Sequence, residues 1–202
     1  MMVLWKGDRT LVLASRSESR HLVLSAAGIP HEVEAADIDE RGIEQHADAS
    51  AAGVAQILAR EKALVVSARR PGALVLGADQ TLTVGIRRFS KPRDRAAARE
   101  QLLCLRKQTH ELHSAIAVAR NNAILFQHQE VARLTMRVFT DAFLERYLDA
   151  VGAAATASVG GYQLEKLGIQ LFDRIEGDHF VILGLPLLPL LEFFRREGLL
   201  ME

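Results

Sequence analysis

The chain has 202 residues, of which 49% are apolar, and its 25 basic residues balance its 25 acidic residues. This length fits one domain, residues 1–202, with a core large enough to fold without disulfides. The lone Cys104 excludes a disulfide scaffold, and the neutral balance argues against a basic nucleic-acid binder or an acidic disordered tail. The N-terminus is too short and polar for a signal peptide, and the longest apolar stretch, 180–191, falls short of the ~20 residues that span a bilayer. We therefore expect a cytoplasmic protein that does not enter a membrane.

The neutral charge conceals two opposed blocks. Residues 31–48 contain seven acids and one base, whereas residues 60–99 contain ten bases and three acids. Most such runs are solvated faces, but a site that holds both a metal and a phosphate would leave the same pattern. Only five of the 25 basic residues are lysines, and the rest are arginines. In a chain with this preference for arginine, a lysine indicates a position that needs a compact ammonium group.

Apolar periodicity and turn signals predict strands and helices that alternate along the chain. In order, we predict a strand at 10–14, a helix from its cap Ser17 to Gly28, a strand at 31–33, an acidic loop, a helix at 49–67, a strand at 73–78 that continues extended to 84, a helix at 93–105, strands at 112–119 and 123–139, a helix at 141–150, strands at 169–175 and 180–185, and a closing helix at 187–197. This mixture predicts an α/β fold with a mixed sheet and flanking helices.

Asp79 is the most unusual acid because it follows the most apolar run of the chain, 73–78. In an open α/β sheet, ligands bind beyond the carboxyl ends of the strands, where an acid can hold a metal ion or orient a water. A capping acid in a loop is the alternative, and position alone leaves both open. Lys62 and Lys91 both lie in the basic block, and two converging ammonium groups would suit a polyphosphate.

Familiar phosphate and metal motifs are absent, including the P-loop, the dinucleotide-binding glycine motif and the H-E-x-x-H zinc motif. His110 and His113 have the wrong spacing for that zinc motif, and in an extended segment they would point to opposite faces. We therefore expect surface or structural histidines there. The first predicted helix begins among hydroxyl side chains, and its N-terminus offers backbone N–H groups to an anion.

Short motifs in consistent order resemble those of the Maf family of nucleotide pyrophosphatases, also called septum-formation-inhibitor-like proteins. They cover almost the whole chain and comprise residues 13–20 (L-A-S-R-S-E-S-R), 38–40 (I-D-E), 60–63 (R-E-K-A), 77–80 (G-A-D-Q), 91–92 (K-P), 109–110 (T-H), 175–178 (I-E-G-D) and 184–187 (G-L-P-L). The resemblance implies a fold similar to inosine-triphosphate pyrophosphatases, a twisted mixed sheet with a central cleft.

The same resemblance implies a metal-dependent enzyme that clears non-standard nucleotides, in a house-cleaning role. It would cleave a nucleoside triphosphate between its α- and β-phosphates, giving a monophosphate and pyrophosphate, with Mg²⁺ or Mn²⁺ as the cofactor. Asp79 matches the family's proton acceptor and Glu40 matches an acid near the metal, so these two are the expected metal ligands. The expected phosphate-binding residues are Ser15, Ser17, Arg20, Lys62 and Lys91.

Several positions depart from the family pattern or vary within it. Glu18 replaces the proline of the first motif, and Ser158 replaces the lysine of a later K-A-G-x-Y motif. The family associates the positions of Ser19, Gln80 and Glu165 with the choice of base, and these three residues resemble the members that act on 7-methyl-GTP. A carboxylate at position 165 suits guanine, which presents N–H donors and gains positive charge on N7-methylation.

Two other classes of function compete with the enzyme. The first is a non-catalytic, nucleotide-binding regulator of cell division or septum formation, which the family's older name suggests. The second is a nucleic-acid binder that uses the basic block, but the neutral chain and the lone aromatic residue in that block disfavour it. The expected partner is therefore a nucleoside triphosphate, with neither nucleic acid nor membrane, and a homodimer stays open.

Overall fold

The computed structural model describes residues 4–6, 11–46 and 50–201, so the predicted element residues Thr10 and Ala49, and Asp48 of the acidic block, lie outside it. The strands are β1 (Leu11–Leu13), β2 (His31–Val33), β3 (Val75–Val84), β4 (Arg87–Phe89), β5 (Thr109–Arg120), β6 (Ala123–Met136) and β7 (Phe172–Glu176). The α-helices are α1 (Glu18–Ala26), α2 (Glu40–His46), α3 (Ala51–Arg69), α4 (Arg95–Leu105), α5 (Asp141–Val151), α6 (His179–Ile182) and α7 (Leu187–Arg196). Short 3₁₀ helices cover Gly152–Thr156, Val159–Gly161 and Leu167–Leu171.

The strands form a single seven-stranded sheet in the order β2–β1–β3–β5–β6–β7, with β4 paired to β3. Strand β1 runs parallel to both β2 and β3, whereas β4 is antiparallel to β3 and β7 is antiparallel to β6. This topology confirms the predicted α/β fold with a mixed sheet. None of the helices within residues 4–6, 11–46 and 50–201 combines the length and the apolar character that a membrane span requires.

The chain divides into two compact units. The first comprises residues 1–80, 114–130 and 179–202, and the second comprises residues 81–113 and 131–178. Strands β3, β5 and β6 each contribute residues to both units. The expectation of one domain over residues 1–202 stays a prediction.

Helix α3 packs very closely on the sheet within the first unit. Alanines on successive turns of α3 contact alternate alanines of β5, the set being Ala55, Ala59, Ala63, Ala115, Ala117 and Ala119. On β3, a Cβ atom added to Gly77 would lie 2.0 Å from the carbonyl oxygen of Ala59 and 2.7 Å from the backbone nitrogen of Ala63. Only glycine permits this approach of strand to helix, which brings the side chains of α3 against those of β3.

Two predicted elements are wrong, and the strand predicted at 169–175 begins only at Phe172, because a 3₁₀ helix covers Leu167–Leu171. Residues 180–185 are not a strand, because α6 occupies His179–Ile182 and the backbone N–H of Leu183 donates to the carbonyl of His179. A short apolar run fits a buried helix turn as well as a buried strand, so periodicity could not separate them. The acidic stretch is not all loop, since α2 begins at Glu40.

Strand β3 also differs from the prediction in where it ends. It runs without a break from Val75 to Val84, so Asp79 lies inside the strand rather than beyond its carboxyl end. Asp79 is buried, with 7% of its surface exposed, and a loop cap is therefore excluded as its role. Its environment is that of an acid held within a sheet.

Candidate active site

The centre of the candidate site is an ammonium group between two carboxylates. The Nζ atom of Lys62 lies 2.6 Å from Oδ1 of Asp79 and 2.7 Å from Oε1 of Glu40. Lys62 comes from α3, Asp79 from β3 and Glu40 from the first turn of α2. Lys62 and Asp79 are each 7% exposed, whereas about half of the Glu40 side chain reaches solvent. Three segments that are distant in sequence thus converge on one point.

Arg20 supplies a second, rigidly held cation in the same unit. Its guanidinium donates to Oγ of Ser15 at 2.9 Å, to the carbonyl oxygen of Ala78 at 2.7 Å and to the carbonyl oxygen of Gly184 at 2.9 Å. Arg20 is 8% exposed. Because Ala78 immediately precedes Asp79, these bonds fix the guanidinium beside the carboxylate.

The electrostatics of this cluster follow from burial. Burial raises the pKa of the Asp79 carboxyl, and the charges of Lys62 and Arg20 oppose that rise. Burial also lowers the pKa of the Arg20 guanidinium, while Asp79 and Glu40 oppose that change. A carboxylate whose pKa is raised accepts a proton more readily, which suits a general base.

The donor set fits a divalent cation. The two carboxylates already point their oxygens at one position, where the Lys62 ammonium lies. Mg²⁺ is commonly held by one or two carboxylates, with water and phosphate oxygens completing its shell. No group of three or more His, Cys, Asp or Glu side chains in the described part of the chain could hold a metal ion. Within this cluster, Glu40 and Asp79 are the two carboxylates that a divalent cation would meet.

The predicted phosphate loop begins helix α1. Ser17 is its N-cap, as predicted, and its Oγ accepts from the backbone N–H of Arg20 at 3.5 Å. The Oγ of Ser15 accepts from the backbone N–H of Ser17 at 3.3 Å and also binds Arg20. The structure thus gathers Ser15, Ser17 and Arg20 at one helix end, with Glu18 exposed and Ser19 partly buried in the first turn.

The three positions linked to base choice have different surroundings. Gln80 directs its amide nitrogen at Oγ of Ser114 (2.8 Å) and at the carbonyl oxygens of Val181 (3.0 Å) and Ile182 (3.1 Å). It therefore ties β3 to β5 and α6 within the first unit. Glu165 belongs to the second unit, where it is exposed in the turn before Leu167–Leu171. The specificity roles of Ser19, Gln80 and Glu165 stay predictions.

The second unit contains the remaining predicted residues. Lys91 is exposed and precedes α4, whose N-cap is Asp94. Ser158 donates from its hydroxyl to the carbonyl of Tyr162, which closes a tight loop in which Gly160 and Gly161 adopt positive φ angles. The role of Lys91 on a polyphosphate stays a prediction.

His110 anchors that loop from β5. Its Nε2 lies 2.7 Å from the hydroxyl oxygen of Tyr162, and the imidazole is fully buried against Tyr162 and Phe172. Burial lowers the pKa of His110 to about 4. Of the two predicted roles, surface or structural, His110 has the structural one, and the prediction is confirmed for this residue.

The prediction from sequence missed three contributors to the site. Gly77 admits α3, the carbonyl of Gly184 binds Arg20, and Ser114 supports Gln80 while donating to the carbonyl of Val181 at 2.6 Å. Gly77 and Gly184 both lie in family motifs, at 77–80 and 184–187, so the sequence does carry a signal for them. Their roles depend on backbone packing and carbonyl positions, which residue types alone do not reveal.

The fold and the cluster together define an α/β protein with a buried acid beside two cations, the kinds of side chain that bind divalent cations and phosphate groups in other proteins. The particular family is also established. The chain belongs to the Maf family, because the family model described as Maf-like protein matches residues 10–197.

Relatives support that membership across nearly the full chain. A protein from Rhodopseudomonas palustris named nucleoside triphosphate pyrophosphatase is 58% identical over 200 residues, which cover 98% of this chain and 99% of that protein. A protein from Brucella abortus named 7-methyl-GTP pyrophosphatase is 50% identical over 190 residues, covering 93% of this chain and 96% of that protein. Among solved structures, a HAM1 protein from Coxiella burnetii matches with a TM-score of 0.40 at 16% identity, covering 63% of this chain and 72% of that chain.

Proposed function

We propose that this protein is a nucleoside triphosphate pyrophosphatase, a hydrolase that gives a nucleoside monophosphate and pyrophosphate. The observation that carries the proposal is the convergence of Glu40 and Asp79 on the Lys62 ammonium, with a carboxylate oxygen of each within 2.7 Å of Nζ. Relatives at 50–58% identity bear pyrophosphatase names, which supports the same activity. Phosphoryl transfer depends on positioning and charge neutralisation, and this cluster supplies both.

Each residue then has a definite task. Asp79 accepts a proton from the attacking water, whose oxygen bonds to the α-phosphorus as the bond from that phosphorus to the bridging oxygen breaks. The pyrophosphate leaves with the bridging oxygen. Lys62 and Lys91 bind the polyphosphate, and Arg20 with the hydroxyls of Ser15 and Ser17 completes the phosphate-binding set.

Glu40 and Asp79 would hold a divalent cation, Mg²⁺ or Mn²⁺. Their convergent oxygens and the hard-ligand chemistry of carboxylates support this assignment. Such a cation, when bound, neutralises phosphate charge and fixes the orientation of the phosphate chain. The proton transfer itself remains with Asp79.

Within the nucleotide class, we place 7-methyl-GTP as the preferred substrate. Ser19, Gln80 and Glu165 are the residues that support this choice, and a relative from Brucella abortus carries that activity in its name. The Glu165 carboxylate would accept from the N–H donors of guanine and would be attracted to the positive charge of the methylated base.

The test is a pyrophosphate-release assay over a panel of nucleotides that includes 7-methyl-GTP, GTP, dTTP and UTP, with Mg²⁺ or Mn²⁺. Asp79→Asn keeps the shape of the side chain and removes the proton acceptor, so kcat should fall by at least about 100-fold. Asp173→Asn, at an exposed position on β7, is the matched control and should retain wild-type activity.

Each outcome bears on a separate part of the proposal. If none of the nucleotides releases pyrophosphate, the assignment of the protein as an enzyme is overturned, and a non-catalytic nucleotide-binding regulator is favoured. Full activity of Asp79→Asn would overturn the role of that residue as the base. Preference for dTTP or UTP over 7-methyl-GTP would overturn the substrate assignment alone.

A further inference from the structure

The Lys62 ammonium occupies the position to which both candidate metal ligands point. Its Nζ is within 2.7 Å of a carboxylate oxygen from Glu40 and from Asp79, and its side chain is 9% exposed. The ammonium is bound to the two carboxylate oxygens that would otherwise coordinate a divalent cation. A cation and Lys62 therefore compete for one pair of ligands.

The charge of the cluster reinforces this competition. Glu40 and Asp79 contribute two negative charges, and Lys62 and Arg20 contribute two positive charges, so the four groups sum to zero. Two carboxylates whose charge is already offset by two cations attract a free divalent cation less strongly than two unpaired carboxylates would. A triphosphate brings the missing negative charge and also gives the ammonium another set of oxygen partners.

The two cations differ in how their charged groups are held. Arg20 is fixed by hydrogen bonds to Ser15 and to the carbonyls of Ala78 and Gly184. The backbone of Lys62 is held where α3 packs on Gly77, but its ammonium is carried by a flexible four-carbon stem. Rotation of that stem moves the positive charge without moving the helix.

We infer that Lys62 keeps Glu40 and Asp79 closed to divalent cations in the nucleotide-free protein and transfers its ammonium to the phosphates when a triphosphate binds. The cation is then admitted only with the nucleotide, which enforces an order of binding. This inference rests on the proposed function for the identity of the nucleotide, but its test measures cation binding rather than turnover.

The experiment titrates the protein with Mn²⁺ and follows the EPR signal of the free ion. The nucleotide-free wild type should bind Mn²⁺ weakly. With a GTP analogue that has a methylene group between the α- and β-phosphorus atoms, the protein should bind Mn²⁺ tightly, beyond the Mn²⁺ that the analogue binds in a protein-free titration. Lys62→Met removes the competing ammonium, so the nucleotide-free variant should bind Mn²⁺ at least about tenfold more tightly than the wild type. Lys62→Arg retains the charge and should bind Mn²⁺ no more tightly than the wild type.

Two controls locate the effect. Lys107→Met removes one positive charge at an exposed position of the second unit and should leave Mn²⁺ binding unchanged. Adding Glu40→Gln to Lys62→Met should abolish the gained affinity, because it removes one of the two carboxylates. Equal Mn²⁺ affinity of Lys62→Met and wild type would overturn the inference.

If Lys62→Met fails to fold, Mn²⁺ titration of the wild type alone still tests the role of Lys62. Tight Mn²⁺ binding without nucleotide would overturn the role of Lys62, even if pyrophosphate release is normal. Tight binding only with the analogue supports that role. Absence of pyrophosphate release from every nucleotide would instead count against the proposed function, so the two failures are distinguishable.

Discussion

The buried His110 should make the stability of this protein depend on pH in a way that one substitution removes. Its imidazole has no exposed surface, and its Nδ1 has no hydrogen-bond partner within the described residues. A protonated ring would therefore bury a charge without a counter-ion, and burial lowers the pKa of His110 to about 4 from an ordinary value of 6.5. The unfolded chain takes up a proton near pH 6.5, whereas the folded chain does not.

The sign and size of the effect follow from that difference. A base with a lowered pKa stabilises the fold fully above the unfolded value of 6.5, and this contribution is lost as pH falls from 6.5 towards 4. From the two pKa values, the loss amounts to about 2 kcal/mol at pH 5 and about 3 kcal/mol at pH 4. The other titrating groups add their own slopes, so only a comparison with a variant isolates His110.

Urea unfolding of the wild type and of His110→Gln at pH 7, 6 and 5 measures this comparison. The glutamine side chain of the variant cannot titrate but can still reach the Tyr162 hydroxyl, so the variant should be less stable at pH 7 and should lose about 2 kcal/mol less than the wild type between pH 7 and pH 5. Tyr162→Phe is the matched control: it removes the hydrogen bond but keeps the imidazole, so its destabilisation should be nearly the same at each pH. Parallel pH curves for His110→Gln and wild type would refute the reasoning.

Three further substitutions test the site and its support. Gly77→Ala places a Cβ atom 2.0 Å from the carbonyl oxygen of Ala59, so urea unfolding should show a loss of about 3 kcal/mol or more, and kcat should fall because Lys62 moves with α3. Arg20→Lys places all its donors on one nitrogen, which cannot span acceptors that the guanidinium reaches from both Nε and Nη1. It should therefore cost about 3 kcal/mol in unfolding free energy, and unchanged stability would contradict the described bonding. Glu165→Gln should lower kcat/KM for 7-methyl-GTP relative to UTP by about tenfold, and an unchanged ratio would remove Glu165 from base selection.

Much of the fold could be predicted from local patterns, and Asp79, Lys62 and Lys91 stood out in the same way. The roles expected of Arg20, Glu40 and Glu165 came only from the resemblance to the Maf family. The N-cap at Ser17 and the helix α5 after Thr140 could be predicted from the sequence, because each depends on residues only a few positions away. The strand predicted at 180–185 was wrong because its apolar residues are buried in α6 and the turn after it, and burial does not distinguish helix from strand over six residues. Asp79 was recognised as an unusual acid, but its position inside β3 depends on the pairing of distant strands.

Contacts within the site were harder to predict than its members. Lys62 follows Glu40 by 22 residues and precedes Asp79 by 17 residues, and no pattern shows that one ammonium would serve both carboxylates. The role of backbone carbonyls was equally hidden, since the acceptors of Arg20 at Ala78 and Gly184 carry no chemical signature in their side chains. Geometry of this kind appears only when the chain is folded.

The close packing of α3 explains why small residues belong to the chemistry of this site. In the motif of residues 60–63, Lys62 provides the ammonium and Ala63 provides the space, because a Cβ atom at position 77 would already lie 3.0 Å from that of Ala63. A larger side chain at either position would lift the helix and carry the ammonium away from Asp79, which is 2.6 Å distant. The distance from Lys62 to Asp79 therefore depends on glycine and alanine, because those small residues let the backbones of α3 and β3 meet.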